Sequence, residues 1–298
     1  MPRVCLVCGR ALTLRERFLC LPCSMDLPLT RYETWEHNPM ADKYNLRITS
    51  DPIGGPPEPY QRATALFFYR RGSGYDLITQ SLKYGRNFAA GRHFAAMLGE
   101  LLRESPLFSD VDLVVPVPLH WTRRLRRGYN QAEVIAREIA RAFSASRAAR
   151  PGDPAGQCSA AATHVVAFAP RLLRRVRRTR TQTRVADSST SSIDARSANV
   201  SGAFAVNLKE LSRNRQSVHT WSDLLPGVCK KGQKRSYLAS FFARYAQHAD
   251  FNTNKIRHIL LVDDVFTTGA TLAACHDALR KAFGPEVRIS VATLAFAE

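Results

Sequence analysis

The chain has 298 residues, of which 45% are hydrophobic and 23% charged, and this balance excludes a wholly disordered or collagen-like protein. The length allows one large domain or two of ordinary size. Lys and Arg number 43 against 25 Asp and Glu, a formal net charge of +18, which favours an anionic partner, either a phosphate-bearing substrate or a nucleic acid. No apolar stretch has the length of a membrane span or a signal peptide, so we expect a cytoplasmic protein without a membrane span.

Four cysteines near the N-terminus form two Cys-x-x-Cys pairs with eleven residues between them: Cys5, Cys8, Cys20 and Cys23. Each pair can place two thiolates on one tight turn, and two pairs supply the four sulfurs of a closed tetrahedral zinc site. Because no coordination position is left for water, such a zinc ion would stabilise the fold and not catalyse. Two disulfides are the alternative, which a reducing compartment disfavours. We predict a zinc-ribbon-like unit over residues 1–24.

Residues 25–60 are rich in proline and glycine, and this composition predicts a linker or irregular arm. Beyond it, apolar runs alternate with segments whose apolar residues recur at three-to-four spacing, which is typical of an α/β protein. The predicted elements are strands at 63–70 and 111–117 and helices at 76–85, 88–103 and 131–143. Asn130 directly precedes the last of these helices and is a suitable N-cap.

The segment 144–255 is the most basic part of the chain, with 19 Lys and Arg against 6 Asp and Glu. It includes two stretches, near 144–163 and 209–254, that we interpret as insertions in the domain. Between them, residues 171–184 carry seven Arg and no acid. A solvated basic surface is one interpretation of this run, and a docking site for an anion is the other.

A strand, a turn of small residues and a helix are predicted at 258–264, 265–271 and 272–283. At the carboxyl end of a parallel strand, the N–H groups of the loop and of the first helical turn converge on one point, which suits a phosphate. Gly269 permits close approach of the main chain to that anion. The turn also contains hydroxyl donors: Thr267, Thr268 and Thr271.

Asp263 and Asp264 end the predicted strand beside this turn. Two carboxylates would repel a phosphate, so they require a different ligand. Vicinal hydroxyls and Mg²⁺ both satisfy this requirement, since carboxylates accept hydrogen bonds from diols and hard cations prefer oxygen ligands. Together with the turn, the pair indicates a phosphate ligand that is accompanied by hydroxyls or by Mg²⁺.

The sequence VDDVFTTGAT at 262–271 resembles the phosphoribosyl-pyrophosphate loop of type I phosphoribosyltransferases. In that family two acids hold the ribose hydroxyls and the loop grips the 5′-phosphate. The resemblance implies that Asp263 and Asp264 act on the ribose and on Mg²⁺. It also implies phosphate-binding roles for the loop residues: Thr267, Thr268, Gly269, Ala270 and Thr271.

Further motifs resemble, in the same order along the chain, the ComF competence-protein family. They are the two Cys-x-x-Cys pairs, LKYG at 82–85, VVPVPLHWTRRLRRGYNQAE at 114–133, RTRTQTR at 178–184 and NVSGAF at 199–204. The resemblance implies a pyrophosphate-binding loop at VVPVPLHW and a basic loop at RTRTQTR that closes over the pyrophosphate. It implies further contacts to the same ligand from four residues: Lys83, Arg127, Asn130 and Gln131. Two alternatives stay open. In one, the arginines are only solvated surface residues. In the other, the positive charge of Lys83 only interacts favourably with the negative, C-terminal end of its helix dipole.

Strands followed by helices, with a phosphate loop at the carboxyl end of a strand, predict a parallel α/β sheet that binds ligands at its carboxyl edge. The resemblance implies that this sheet belongs to a type I phosphoribosyltransferase-like domain at 61–298. The zinc-ribbon-like unit at 1–24 and the arm at 25–60 would precede that domain.

The resemblance, together with the charge pattern, implies two alternative functions. The first is a ComF-like protein that binds phosphoribosyl pyrophosphate together with Mg²⁺ and acts in competence or DNA uptake. It either only binds this ligand or also transfers phosphoribose to an acceptor, which the sequence does not identify. The alternative is a non-catalytic factor that handles single-stranded DNA, with DNA-uptake or recombination proteins as partners, and uses the fold as a ligand-sensing or structural scaffold. A smaller hypothesis makes the zinc unit a docking module for another protein.

Overall fold

The described part of the chain contains both strands and helices. The computed structural model describes residues 3–48, 58–83, 87–119, 124–125, 128–144, 166–176, 202–207 and 256–297. In chain order the elements are α1 (Leu21–Met25), a 3-10 turn (Tyr32–Thr34), α2 (Pro39–Ile48), β1 (Ala63–Tyr69), α3 (Asp76–Lys83), α4 (Phe88–Glu104), β2 (Leu113–Pro116), α5 (Gln131–Ser144), β3 (Ala167–Phe168), β4 (Leu173–Arg175), β5 (Phe204–Val206), β6 (His258–Phe266), α6 (Ala270–Phe283) and β7 (Arg288–Ala297). None of the described helices is both long enough and apolar enough to cross a membrane.

A parallel sheet of five strands lies at the centre of the described residues, in the order β1-β7-β6-β2-β3. β4 and β5 form a separate antiparallel pair. The strands and helices predicted between 63 and 143 and between 258 and 283 are confirmed to within a few residues, with β6 extending past its predicted end to Phe266. The structure adds β7, which the sequence analysis did not predict. The predicted parallel α/β architecture is therefore confirmed.

Both faces of the sheet are covered by helices. Leu113 and Val115 of β2 belong to the apolar cluster that contains α2 and α6, whereas Val114 belongs to the cluster that contains α4 and α5. A strand that is buried on both faces has no polar side. This explains why β2 and β6 read as continuous apolar runs in the sequence.

The connections after β2 and β6 run in opposite directions across the sheet. β2 leads through α5 to β3, whereas β6 leads through α6 to β7 on the other side. Because β2 and β6 are neighbours, the two connections diverge and leave a crevice beyond the carboxyl ends of these strands. Ligands of open parallel sheets bind in such a crevice.

The segment that the sequence predicts as an irregular arm contains the ten-residue helix α2. Its proline does not break the helix, because Pro39 occupies the first position, where a missing N–H costs nothing. The Asn38 side chain precedes it and accepts a hydrogen bond from the N–H of Ala41 at 2.9 Å, as an N-cap does. Met40 and Tyr44 are fully buried against the sheet domain, so this helix is part of the core.

The cysteine-containing segment packs directly on the sheet domain. Cys5 and Cys20 are buried in the apolar cluster that also contains α3, α4 and α5. The hydroxyl of Tyr75, just before α3, donates a hydrogen bond to the Cys23 carbonyl at 3.1 Å. The N-terminal segment therefore shares a core with the helix whose last residue is Lys83.

Several predicted features lie outside the described residues. They are most of the insertions near 144–163 and 209–254, the RTRTQTR motif at 178–184, and Arg127. The NVSGAF motif is described from Gly202 onward, and its phenylalanine begins β5.

We expect Gly99→Ala to destabilise the protein. Gly99 lies where α4 crosses α5, and an added Cβ would lie 2.7 Å from the Ala142 Cβ and 3.1 Å from the Ile139 Cα. These atoms cannot rotate away, so we expect overpacking to outweigh the gain in helix propensity and to cost about 1 kcal/mol or more. Urea unfolding measures the loss. Arg92→Ala, on an exposed position of the same helix, is the matched control, and equal stability of the two variants would contradict the close crossing.

Candidate functional site

Asp263 and Asp264 lie near the carboxyl end of β6, beside the crevice between β6 and β2. Val262 pairs with Pro116 of β2 and Asp263 pairs with Thr293 of β7, so the acids have a strand on either side. The N–H of Asp264 donates a hydrogen bond to Asp263 Oδ1 at 2.8 Å. Both residues are half-buried, which leaves their carboxylates within reach of a ligand.

The turn between β6 and α6 forms a small cleft next to these acids. Gly269 adopts φ +74° directly before α6, and an added Cβ would lie 2.7 Å from the Phe266 ring. Phe266 is fully buried, so the turn lies tight against the core and only glycine fits there. The residues that line the cleft are Asp263, Val265, Thr267, Thr268, Gly269, Ala270, Thr271 and Leu272.

This cleft has the chemistry of an anion site on one side and of a diol or cation site on the other. α6 has fourteen residues, and the N–H groups of its first turn have no partner within the helix, which favours an anion at its N-terminus. Thr267, Thr268 and Thr271 bring hydroxyl donors to the same place. The carboxylate of Asp263 is an acceptor at the edge of the cleft.

The negative charge of Asp263 is costly in this position. Burial, and then the neighbouring Asp264 carboxylate, raise the pKa of Asp263 to about 7. A hydrogen bond from the Asp264 N–H and the charges of Lys83 and Arg175 act in the opposite direction. Two carboxylates this close cannot both ionise cheaply without a cation nearby. The site therefore favours ligands that bring positive charge or hydrogen-bond donors to the pair.

Lys83 reaches the site from the end of α3. Its ammonium lies 3.2 Å from Asp264 Oδ2, so the two side chains form an ion pair. The structure thus brings together two residues that are far apart in the chain. Arg175 of β4, whose guanidinium lies over the Phe204 ring, also lowers the pKa of Asp263. Sequence reasoning missed Arg175, because nothing distinguishes it among the seven arginines of its run.

The start of α5 is attached to the same edge of the sheet. We predicted that Asn130 caps this helix, but among the described residues its side chain makes a different contact: its amide donates a hydrogen bond to the Val117 carbonyl at 3.0 Å. Val117 in turn donates its N–H to the carbonyl of Val262, the residue before the acid pair, at 2.8 Å. Gln131 is buried, and its Nε2 has no hydrogen-bond partner among the described residues.

The chain's relationship to known proteins does not decide between these chemistries. No protein-family model matches the sequence, and no curated protein matches it either.

The four N-terminal cysteines form a second candidate site. Their sulfur atoms all lie within 4.8 Å of one another, and the Cys8 and Cys20 sulfurs are 3.6 Å apart. Zinc bound tetrahedrally at about 2.3 Å from each sulfur requires sulfur separations of about 3.8 Å. The cluster therefore fits a structural zinc ion held by Cys5, Cys8, Cys20 and Cys23.

The backbone around this cluster also favours thiolates. Burial raises the pKa of the Cys5 thiol, but hydrogen bonds from the backbone of Cys8, Cys20 and Val7 outweigh burial and lower that pKa to about 6. Burial and the other three thiols raise the pKa of Cys23. Crowded thiols of this kind lose their protons together when a zinc ion binds them.

We expect the purified full chain to contain about one zinc ion and to lose stability when that ion is removed. Cys5 and Cys20 are buried in the core that they share with α3 and α4, so loss of the metal would loosen that core. Elemental analysis gives the zinc content, and thermal unfolding before and after chelation gives the stability. Cys20→Ser should lose zinc, whereas Cys275→Ala, at a buried thiol of α6, should keep it. A zinc-free, folded wild type would contradict the prediction.

We also expect the ligand-free protein to lose stability as the pH rises through the range in which Asp263 titrates. The folded-state pKa is about 7 against a reference of 3.8, so between these values the folded protein binds more protons than the unfolded chain. The free energy of unfolding therefore falls with rising pH in this range. In Asp263→Asn this contribution is absent.

Urea unfolding at about pH 5 and about pH 8 without divalent cations tests this. The loss of stability between the two pH values should be smaller in Asp263→Asn than in wild type. Glu286→Gln, an exposed acid between α6 and β7, should behave as wild type. If Asp263→Asn and wild type lose equal stability, Asp263 does not have the raised pKa.

Proposed function

We propose that this chain is a ComF-like protein with a type I phosphoribosyltransferase-like domain, which binds phosphoribosyl pyrophosphate together with Mg²⁺. One observation supports the proposal above the others: the Asp263 side chain and a phosphate-type turn line the same cleft at the carboxyl edge of the sheet, and Asp264 follows directly in the chain. A ligand that carries a phosphate and a diol a few ångströms apart suits both, and a ribose 5-phosphate is such a ligand.

The two sides of the cleft take different parts of this ligand. The N-terminus of α6 and the turn hydroxyls of Thr267, Thr268 and Thr271 hold the 5′-phosphate by N–H and O–H donation. Asp263 and Asp264 accept hydrogen bonds from the ribose hydroxyls. Carboxylate oxygens are also the donors that Mg²⁺ prefers, and a bound Mg²⁺ would neutralise charge on the pyrophosphate.

Departure of pyrophosphate is the step that such a site can assist. The bond between the ribose carbon and the pyrophosphate oxygen breaks with its electron pair on the oxygen, while a nucleophilic acceptor forms a bond to the carbon and later gives up its proton. Positive charge develops on the ribose, next to Asp263 and Asp264, and negative charge develops on the pyrophosphate. Fixed charges aimed at these positions stabilise the transition state. Asn130 and Gln131, at the same edge of the sheet, are the proposed donors to the pyrophosphate.

The ComF resemblance extends the proposal to competence and DNA uptake in the cytoplasm. The alternative, a non-catalytic factor that handles single-stranded DNA, rests on the basic segment 144–255, of which the structure describes 166–176 and 202–207. Within this part, Arg171 and Arg174 are exposed or partly exposed basic residues beside Arg175. A phosphate-binding cleft and a basic surface are compatible, so the two functions differ mainly in whether turnover occurs.

Calorimetric titration of phosphoribosyl pyrophosphate into the zinc-loaded full chain, with and without Mg²⁺, tests the proposal. We expect Mg²⁺-dependent binding to wild type and an affinity lower by about a hundredfold in the double variant Asp263→Asn, Asp264→Asn, because hydrogen bonds to charged groups are lost. Glu286→Gln, which removes one acid elsewhere in the domain, should bind as wild type.

Two results would separate the candidate functions. Absence of binding by folded wild type would overturn the proposed ligand. Binding of single-stranded DNA that weakens steeply with added salt, without release of pyrophosphate in the presence of candidate acceptors, would favour the DNA-handling alternative.

A further inference from the structure

Lys83 occupies a position that the proposed ligand itself needs. Its ammonium is 3.2 Å from Asp264 Oδ2, and only 25% of the Lys83 side chain and 15% of the Asp264 side chain are exposed. Sheltered charges of this kind are screened less by salt than surface charges are. The carboxylate assigned to the ribose and Mg²⁺ thus already has a cation beside it.

The backbone of Lys83 is held in place by the packing of α3. The preceding residue, Leu82, is fully buried and packs against Gly91 of α4, where an added Cβ would lie 2.5 Å from Leu82 Cδ1. α3 is also joined to the cysteine unit through Tyr75. The ammonium therefore moves by rotation about the bonds of the flexible four-carbon side chain, while the backbone stays in place.

A contribution to the stability of the fold does not by itself explain why this ion pair is present. Removing an ammonium and a carboxylate from water costs free energy that their attraction often does not recover, so a buried pair is poor support for a fold. The contact acts on the acid pair as a bound metal cation would.

An ammonium and a divalent cation cannot share this place. Like charges within about 4 Å repel one another strongly where water is largely excluded. Binding of Mg²⁺ at Asp264 therefore requires that the Lys83 ammonium leave. The proposed ligand brings the negative charge that can receive it, because the pyrophosphate group is attached to the ribose that the acids hold.

We propose that Lys83 is a displaceable counter-ion, which neutralises Asp264 in the ligand-free protein and moves onto the phosphates of the ligand when the ribose and its divalent cation take over that carboxylate. This inference rests on the proposed function and adds to it a positioning role and an order of events. Before the ligand arrives, Lys83 keeps free metal off the acid pair. After it arrives, the same charge binds the ligand.

This role predicts that replacing Lys83 changes two affinities of the protein in opposite directions. The first is the affinity of the ligand-free protein for Mn²⁺, which takes oxygen ligands as Mg²⁺ does and is observed by electron paramagnetic resonance. We expect Lys83→Met to bind Mn²⁺ about threefold to tenfold more tightly than wild type, because the competing charge is gone. The second is the affinity for phosphoribosyl pyrophosphate with Mg²⁺, which we expect to be about tenfold or more weaker in Lys83→Met, because a charged contact to the ligand is lost.

Controls separate this role from a structural one. Lys83→Arg keeps the charge and should resemble wild type in its Mn²⁺ affinity, and Lys281→Met, on an exposed position of α6, should change neither affinity. A purely structural role for Lys83 would lower both affinities together. Circular dichroism checks that each variant is folded, and Lys83→Gln serves as a second neutral variant.

The outcomes also separate this inference from the proposed function. If wild type binds phosphoribosyl pyrophosphate but the neutral variants do not gain affinity for Mn²⁺, the counter-ion role is overturned and the proposed function stands. If wild type does not bind phosphoribosyl pyrophosphate, the proposed function is overturned. The movement of the Lys83 ammonium onto the ligand is then overturned as well.

Discussion

Two carboxylates that follow one another at the end of a buried strand are the constraint around which this site is arranged. The strand fixes Asp263 and Asp264 next to each other, and the surrounding core keeps water from screening their charges. Positive groups from separate parts of the chain compensate: Lys83 from the end of α3 and Arg175 from the small sheet of β4 and β5. The charge balance of this edge of the sheet therefore depends on segments that lie far apart in the sequence.

The fold was predictable where a local pattern had no competing interpretation. β2 and β6 are apolar runs of strand length, and α4 and α5 have strong helical spacing, so their types were evident. α2 lies in a proline-rich segment, and composition alone does not distinguish a proline that breaks a helix from Pro39, which occupies the first helical position, where proline is tolerated. β7 was predictable by the same reasoning, since Ile289, Val291 and Phe296 are strand formers within a run of strand length.

The candidate site was predictable only as far as it is local in sequence. The acid pair and the turn that ends at Gly269 follow one another, so their types and spacing indicated a phosphate beside a diol or a cation. The partner of Lys83 could not be predicted, since the approach of α3 to β6 depends on how helices pack over the sheet. The four cysteines lie between these cases, because their spacing predicted one metal site but not that the unit would share a core with α3 and α4.

The place of β7 in the sheet has a consequence for the order of folding. β7 follows all other described elements in the chain, yet it lies between β1 and β6 and pairs with both along most of its length. Until β7 is made, β1 has no neighbour in the sheet and one edge of β6 is open. Contacts between segments this distant in sequence form slowly, and unpaired edges invite wrong partners. During synthesis, therefore, most of the chain must leave the ribosome before the sheet can close, and the early strands must be protected from aggregation until then.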